Sequence, residues 1–365
     1  MKIGFIAEPY EEEGASGMGY MIWELMRHLP AACKDLEFTI YSSKPIRESG
    51  IPVPIRNVIV PRSFAGKFFW FLWTKEDIDV ILFVTPLLPL WLPKRIKVVA
   101  ICPELGSQKI TPEAFSGKIV AFVRDRLLMP RCFLRATSIV AISHATKEDI
   151  MKYYRAPDNK IEVIYIGFQN LITTKEIMPL VAKEQTPFFF FTGRVKPRKN
   201  VYAIVSAFIE FKKRVHTDCK LVIAGKSGGD YRRRMVDELT KNGLQNDVFF
   251  VGFVSKELLC AYYVQAVALV FPSLNEGFGM PVLEAMSLGT PVITSNISSL
   301  PEAAGDAGFL VDPHNITEIS LAMEKVFLDQ NLRTRMIKKG YEQAEKFSWD
   351  KTAREYLLFL EKTVS

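Results

Sequence analysis

The sequence predicts an α/β architecture of two doubly wound domains, each a parallel sheet with helices on both faces. Three observations predict it. The 365 residues exceed one ordinary domain and suit two. Short apolar runs alternate with stretches of helical period along most of the chain, the order that builds a parallel sheet. Two of these runs open through glycines into a helix, the strand–loop–helix turn that binds anions in such sheets.

Composition bounds the function. The chain is 48% hydrophobic, ample for two cores, and 24% charged, ordinary for a soluble enzyme. Its five cysteines are scattered without a C-x-x-C pair, which predicts reduced thiols in a cytoplasmic compartment and argues against zinc. The opening MKIGFIAEPYEEEG is too short and too soon acidic for a signal peptide. No apolar run reaches the roughly 18 residues of a spanning helix. The net charge of +7 lies mostly in the first half, where residues 1–175 hold 23 Lys and Arg against 18 Asp and Glu. That excess could favour anionic lipid or a phosphate-bearing acceptor, although solvated lysines are its ordinary reading. No basic run interleaved with aromatics points to nucleic acid.

In the first half, residues 2–7 predict a strand, followed by a glycine-rich loop over 14–19 and a helix over 20–29. Strands follow over 38–42, 57–60, 80–84 and 98–101. The aromatic run KFFWFLW at 67–73, flanked by Arg62, Lys67 and Lys75, reads as a buried helix or a membrane-surface element. A helix is predicted over 115–134, carrying Arg124, Arg126 and Arg131, then a strand over 138–142. Ser143 caps the next helix, which places His144 at a surface helix start. The last strand of this half spans 161–166. The polar stretch 169–185 contains the linker, placed near 177–185.

The second half opens with strand 186–192 (TPFFFFT). The loop beyond it crowds Arg194, Lys196, Arg198 and Lys199 at the carboxyl edge of a parallel strand, where ligands bind in open α/β sheets. A solvated basic loop is the alternative. A helix over 202–215, a strand over 221–224, a charged helix over 231–242 and a strand over 248–251 lead to Gly252-Phe253-Val254.

Residues 266–271 form the strand that feeds the central stretch FPSLNEGFGMPVLEAMSL. Asn275, Gly277 and Gly279 break the strand, and Pro281 sits in the first turn of a helix. A glycine loop entering a helix leaves N–H groups unpaired, which suits phosphate. Glu276 and Glu284 bracket it. Carboxylates repel phosphate and accept hydrogen bonds only, so they suit hydroxyl-rich partners such as a ribose or a hexose. Phosphate at the backbone and hydroxyls at the flanks describe a sugar nucleotide. The alternative is a solvated Glu276 and a first-turn Glu284 that favours the helix dipole. A strand over 291–294, a short helix over 300–304 and a strand over 309–311 follow, then helices over 316–328, 332–346 and 349–363.

Together with its continuation GTPVITSNISSLPEAAGDAGFLVDP, the central stretch resembles the donor-binding signature of the retaining GT-B glycosyltransferases of glycosyltransferase family 4, the glycosyl transferases group 1. The match is dense over the last half of the chain and looser before it. The resemblance implies a GT-B fold, two Rossmann-like domains whose parallel sheets face a central cleft. Residues 1–178 would bind acceptor, 185–346 would bind the nucleotide-sugar, and 347–365 would form a helix crossing back to the first domain, with Trp349 as anchor. The E-x7-E pair implies that Glu276 contacts the transferred sugar and Glu284 the ribose. Arg194 and Lys199 would grip the diphosphate, beside Gly193 and the Gly277, Phe278, Gly279 and Met280 backbone. Gly17 and Gly19 would face that diphosphate from the first domain, and the backbone at Phe253 and Val254 would meet the nucleobase. In many relatives the strand matching 98–101 ends in His-Asp. This chain has Cys102-Pro103 there, and Glu104 is the candidate catalytic substitute.

The resemblance implies retention by a front-face reaction, in which a donor phosphate oxygen takes the acceptor proton. No metal or cofactor is expected, because the only Asp-x-Asp triplet, Asp77-Ile-Asp79, sits just before a core strand. The wording SNISSLPEAAGDAG is mannosyltransferase-like, which makes GDP-mannose the first donor and a UDP-sugar the next. The acceptor would be a saccharide or lipid-linked molecule in surface polysaccharide or glycolipid assembly. Transfer would occur in the cytoplasm, with peripheral contact at the inner face of the plasma membrane through the N-terminal domain. The rival readings are an inactive GT-B scaffold and a phosphorylase or epimerase on the same fold.

Overall fold

The apolar run after Met1 forms β1 (Lys2–Ile6), buried from Ile3 onward. This computed structural model describes residues 1–7, 17–33, 36–46, 56–60, 77–85, 88, 92–105, 123–168 and 186–365. Strands β2 (Glu37–Ser42), β3 (Arg56–Ile59), β4 (Val80–Val84), β5 (Lys97–Cys102), β6 (Ser138–Ala141) and β7 (Ile161–Val163) join β1 in a seven-stranded sheet. Its order is β3-β2-β1-β4-β5-β6-β7, and every pairing is parallel. Strands covered on both faces need no polar alternation, which is why β4 reads VILFV and is buried throughout. The carboxylates of Asp77 and Asp79 both engage Lys2: Asp79 Oδ2 accepts its backbone N–H at 2.8 Å and Asp77 Oδ2 its ammonium at 2.6 Å.

Helix α1 (Gly17–Ala32) is longer than the predicted 20–29. Gly17 and Gly19 therefore lie in its first turn and not in the preceding loop. The apolar set Met21, Ile22, Leu25, Met26 and Leu29 repeats at helical spacing and is buried along the length. That burial carries the helix through its glycines, whose first-turn N–H groups have no intrahelical partner to lose. The helix predicted over 115–134 is described from Val123. It runs as a π-helical turn (Arg124–Leu128) and then α2 (Met129–Arg135). Pro130 lacks an N–H and its ring crowds the carbonyl four residues back, which accounts for the widened turn before it. Ser143 caps α3 (His144–Tyr154) by accepting the Thr146 N–H at 3.1 Å, and His144 is the exposed first residue.

The chain divides into two compact units, Met1–Gly167 with Phe347–Ser365, and Phe168–Lys346. The aromatic run at 67–73 and the linker expected over 177–185 lie outside the described residues. In the first unit the final helix packs on α1, with the Trp349 ring edge-on to Tyr20 at 6.0 Å. Gly167 allows this approach, since a Cβ there would sit 2.4 Å from the Trp349 backbone nitrogen.

The second unit holds a six-stranded parallel sheet, order β10-β9-β8-β11-β12-β13. Its strands are β8 (Phe188–Thr192), β9 (Lys220–Ala224), β10 (Val248–Gly252), β11 (Ala268–Phe271), β12 (Val292–Ser295) and β13 (Phe309–Val311). Its helices are α4 (Val201–Val215), α5 (Gly229–Lys241), α6 (Lys256–Gln265), α7 (Met280–Ser287), α8 (Leu300–Ala304), α9 (Ile316–Leu328) and α10 (Gln330–Ala344). The last helix of the chain, α11 (Trp349–Val364), belongs to the first unit. The four phenylalanines of β8 are all buried, and Phe191 stacks on Phe271 of β11 at 5.8 Å. The fold is the predicted α/β type, two sheets of parallel strands.

Candidate active site

In the second unit the chain leaves β8 for β9 on one side, while β11 enters on the other. The carboxyl ends of β8 and β11 thus bound a topological switch point, the place where open α/β sheets bind ligands. Two loops leave it, 193–200 after β8 and 272–279 after β11.

Backbone and side-chain bonds lace the loops together. The Leu274 N–H donates to the Arg198 carbonyl at 2.9 Å, and Arg198 Nη1 donates to the Asn275 carbonyl at 2.5 Å. Asn200 adopts the left-handed conformation (φ 58°), which asparagine tolerates, and leads into α4. Its side-chain amide donates to the Pro272 carbonyl at 3.1 Å and the Pro313 carbonyl at 2.7 Å.

Glu276 is the centre of this lacing. Lys199 Nζ lies 2.5 Å from Oε1 and Arg198 Nη1 3.4 Å from Oε2. Ser273 Oγ donates to Oε1 at 2.6 Å. From the loop after β12, Ser298 Oγ accepts the Glu276 N–H at 3.1 Å, and Ser299 Oγ donates to the Glu276 carbonyl at 2.9 Å. Ser298 does so at φ 60°, a strained conformation for a non-glycine residue. Burial alone would raise the Glu276 carboxyl. The Lys199 and Arg198 charges, with hydrogen bonds from Lys199 and Ser273, outweigh it and hold the group below its ordinary range. The solvated alternative for Glu276 therefore fails, as its side chain is only 8% exposed.

Helix α7 starts at Met280 with Pro281 in its first turn and no side-chain cap. Within that turn the Val282 N–H donates to the Gly279 carbonyl at 2.9 Å. Gly279 turns the chain into it at φ 111°, where a Cβ would meet Leu300 Cδ2 at 2.8 Å. Glu284 is the fifth residue of α7, beyond the first turn, so the dipole alternative does not describe it. Its Oε2 accepts from the Tyr263 hydroxyl of α6 at 2.9 Å. Burial pushes the Glu284 carboxyl up to about 7, against the Tyr263 hydrogen bond and the Lys256 charge.

The other predicted residues divide between the units. Gly193 (φ 130°) and an exposed Arg194 follow β8, and Arg194 forms no ion pair among the described residues. Lys199 and the neighbouring Arg198 reach Glu276; Arg194 does not. Gly277 and Phe278 are buried within the β11 loop. Phe253, 92% exposed, and a half-buried Val254 follow β10. Gly17, Gly19 and the half-buried Glu104 belong to the first unit. Sequence reasoning did not single out Ser273, Ser298, Ser299, Asn200 and Tyr263. Their roles depend on partners 21 to 113 residues away or on turn geometry, and no local spacing signals either. Among the described residues no group of three His, Cys, Asp or Glu is placed to hold a metal ion.

Comparison with known proteins adds the following. The family described as "Glycosyl transferases group 1" matches residues 173–343, and "Glycosyltransferase Family 4" matches 15–169. The chain is 30% identical over 223 residues to the O-antigen chain mannosyltransferase B of Escherichia coli, covering 59% of this chain and 58% of that protein. The matched part thus spans less than two thirds of that relative. Among solved structures, sucrose-phosphate synthase from Thermosynechococcus elongatus superposes with a TM-score of 0.77 at 19% identity, covering 99% of this chain and 98% of that one. HepE of Anabaena, solved in complex with UDP and glucose, superposes with a TM-score of 0.75 at 18% identity, covering 99% and 100%. These two show a shared GT-B fold.

Proposed function

The chain belongs to glycosyltransferase family 4, and from that premise we propose that it transfers a hexose from a nucleotide-sugar to a saccharide or lipid-linked acceptor. The observation that carries this reading is the Lys199–Glu276–Arg198 cluster at the switch point, beside the uncapped start of α7. Cations and the positive end of a helix suit a diphosphate leaving group, whose charge grows in the transition state. Glu276 orients the hydroxyls of the transferred sugar, and Glu284 accepts from the ribose.

In this reading Lys199 leaves Glu276 in part when the donor binds and turns to the diphosphate. Arg194, exposed on the same loop, adds a bidentate grip. The N–H groups at Phe278, Gly279 and Met280 complete the cradle, and the Phe253 and Val254 backbone meets the base. We assign Gly17 and Gly19 of the first unit to the diphosphate and Glu104 to the role of the family's histidine. The buried, ion-paired state of Glu276 favours positioning over nucleophilic attack, so the transfer is a retaining front-face reaction in which a donor phosphate oxygen takes the acceptor proton. No metal takes part. GDP-mannose is the favoured donor, supported by the mannosyltransferase relative, with a UDP-sugar next. The work belongs to surface polysaccharide or glycolipid assembly in the cytoplasm, with peripheral contact at the membrane.

Thermal-shift titration with UDP, GDP, ADP and their sugars, with and without EDTA, tests it. At a free ligand concentration one hundred times Kd, binding adds about 2.7 kcal/mol of apparent stability. The expected result is a shift with one nucleotide, unchanged by EDTA and lost in Arg194→Ala and Glu284→Ala. A shift abolished by EDTA sinks the metal-independent mechanism. A chain that hydrolyses or transfers no nucleotide-sugar, and shifts with none, sinks the transferase reading.

A further inference from the structure

Four strands end the two sheets, β3 and β7 in the first unit and β10 and β13 in the second. Natural sheets guard such edges with charge, proline or brevity. β3 opens on an exposed Arg56, β7 carries an exposed Glu162, and β13 is three residues long. β10 has none of these guards: its five residues read VFFVG. The Asp247 carbonyl accepts the Leu221 N–H of β9 at 2.9 Å. Alternation along a parallel ladder then turns the Phe249 backbone to β9 and the N–H and C=O of Val248 and Phe250 outward. Those four groups have no partner among the described residues.

The surface beside this edge is apolar. Phe249 is 46% exposed and Val236 of α5 38%. Between α5 and β10 runs a groove of about 310 Å³, lined by Arg232, Val236, Leu239, Val248, Phe249 and Phe250. Arg232 lies 5.1 Å over the Phe250 ring, which sets the middle of α5 alongside Phe249. Helix α5 is also polarised in charge. Residues 229–234 hold three arginines against Asp230, and residues 235–241 hold Asp237 and Glu238 against Lys241. Arg232, Arg233 and Asp237 are exposed. A helix of this kind repels a parallel copy of itself and attracts an antiparallel one.

We propose that β10 pairs antiparallel with β10 of a second copy of the chain, about a two-fold axis at Phe249, and so joins their two six-stranded sheets. Val248 of each copy lies opposite Phe250 of the other, and each pair exchanges its outward N–H and C=O groups. Phe249 meets Phe249 in the close, non-hydrogen-bonded position, where aromatic pairs stabilise a sheet. The α5 helices run antiparallel across the same axis, the arginine half of one along the Asp237 half of the other. One surface supplies the free backbone groups, the aromatic side chain and both charges. It therefore complements itself, as a two-fold interface requires. The inference stands on the second unit alone and does not depend on the transferase reading.

Analytical ultracentrifugation of the full chain tests it. The expected species has twice the 41.5 kDa of the chain and dissociates more readily as salt rises. Phe249→Lys places two like charges face to face and should weaken the dimer by more than about tenfold. Arg233→Glu and Asp237→Arg should each weaken it by about tenfold, because each sets like charges against one another in the self-pair. Mixed in equal parts, these two variants should restore the dimer, since opposite charges meet at both contacts of the mixed pair. Arg233 and Asp237 lie on the surface, and each variant should keep the parent's circular-dichroism spectrum. A parent chain that stays at 41.5 kDa up to roughly 0.1 mM overturns the proposal. So does a dimer that Phe249→Lys leaves intact, which would place the contact elsewhere. A mixture of the two charge variants that associates no better than either alone overturns the antiparallel arrangement and the proposal with it.

Discussion

Glu276 and Glu284 are two carboxylates on one loop and helix with opposite electrostatics. Glu276 is ion-paired and held below its ordinary range, so its stabilisation is present above the unfolded value near 4.5 and lost as pH falls. Glu276→Ala strands the Lys199 cation and should cost about 3–5 kcal/mol, read by urea unfolding. Glu276→Ala with Lys199→Ala should cost less than the sum of the singles, since the pair forms one network. Glu284 is the reverse case. Its folded carboxyl is raised to about 7, so the native state holds the proton more tightly than the unfolded chain. That contribution is complete below about pH 4.5 and lost as pH rises through 7. Glu284→Gln should therefore gain on the parent between pH 5 and 8, by roughly 1–3 kcal/mol with allowance for solvent screening. Donor affinity should move the other way. The ionised carboxylate accepts from a ribose, so the donor KM should rise as pH falls below 7. In Tyr263→Phe, which loses the hydroxyl that favours the charged form, that rise should begin at higher pH. An unmoved KM profile in both variants would remove Glu284 from the donor site.

At the scale of elements, the loop between β11 and α7 is set by backbone geometry as much as by side chains. Gly279 is at φ 111° and faces Leu300, so Gly279→Ala combines strain with a steric shift. The expected cost is about 1–3 kcal/mol by chemical denaturation, with weakened nucleotide binding because the start of α7 moves. Much of this region was legible beforehand. Proline at the helix start, glycine before it and an apolar run leading in are local signals, and β11 and α7 fall where they predict. Helix α1 was misjudged at its start, since its glycines looked like loop and the helix is held by packing against α11, more than 300 residues away. The π-turn before Pro130 had a local cause, but the turn it takes depends on Met129 and Phe133 packing inward.

The whole molecule returns its last helix to its first unit. Trp349 is 5% exposed, packs on Tyr20 and has the bare Gly167 backbone against its own. Trp349→Ala should cost about 3–5 kcal/mol. With two units, a single unfolding free energy is not well defined. Hydrogen exchange is the better measurement: protection should fall in α1 and α11 while β8 and β11 keep theirs. Equal loss in both sheets would show that the units unfold as one.

The sequence by itself determined the α/β class, the position of most strands and the family, because these rest on short-range period, glycine and proline placement, and a dense motif. It also brought Glu276, Glu284, Lys199 and Arg194 forward as a set. Only the tertiary structure decided that Lys199 and Arg198 reach Glu276 while Arg194 stays exposed, and that Tyr263 holds Glu284. Those partners stand 77, 78 and 21 residues apart. Strand order and helix crossings set such meetings. A sequence pattern records which face a residue occupies, but not which distant residue that face will meet in a low-dielectric interior, where one hydrogen bond or ion pair decides the charge state of a carboxylate.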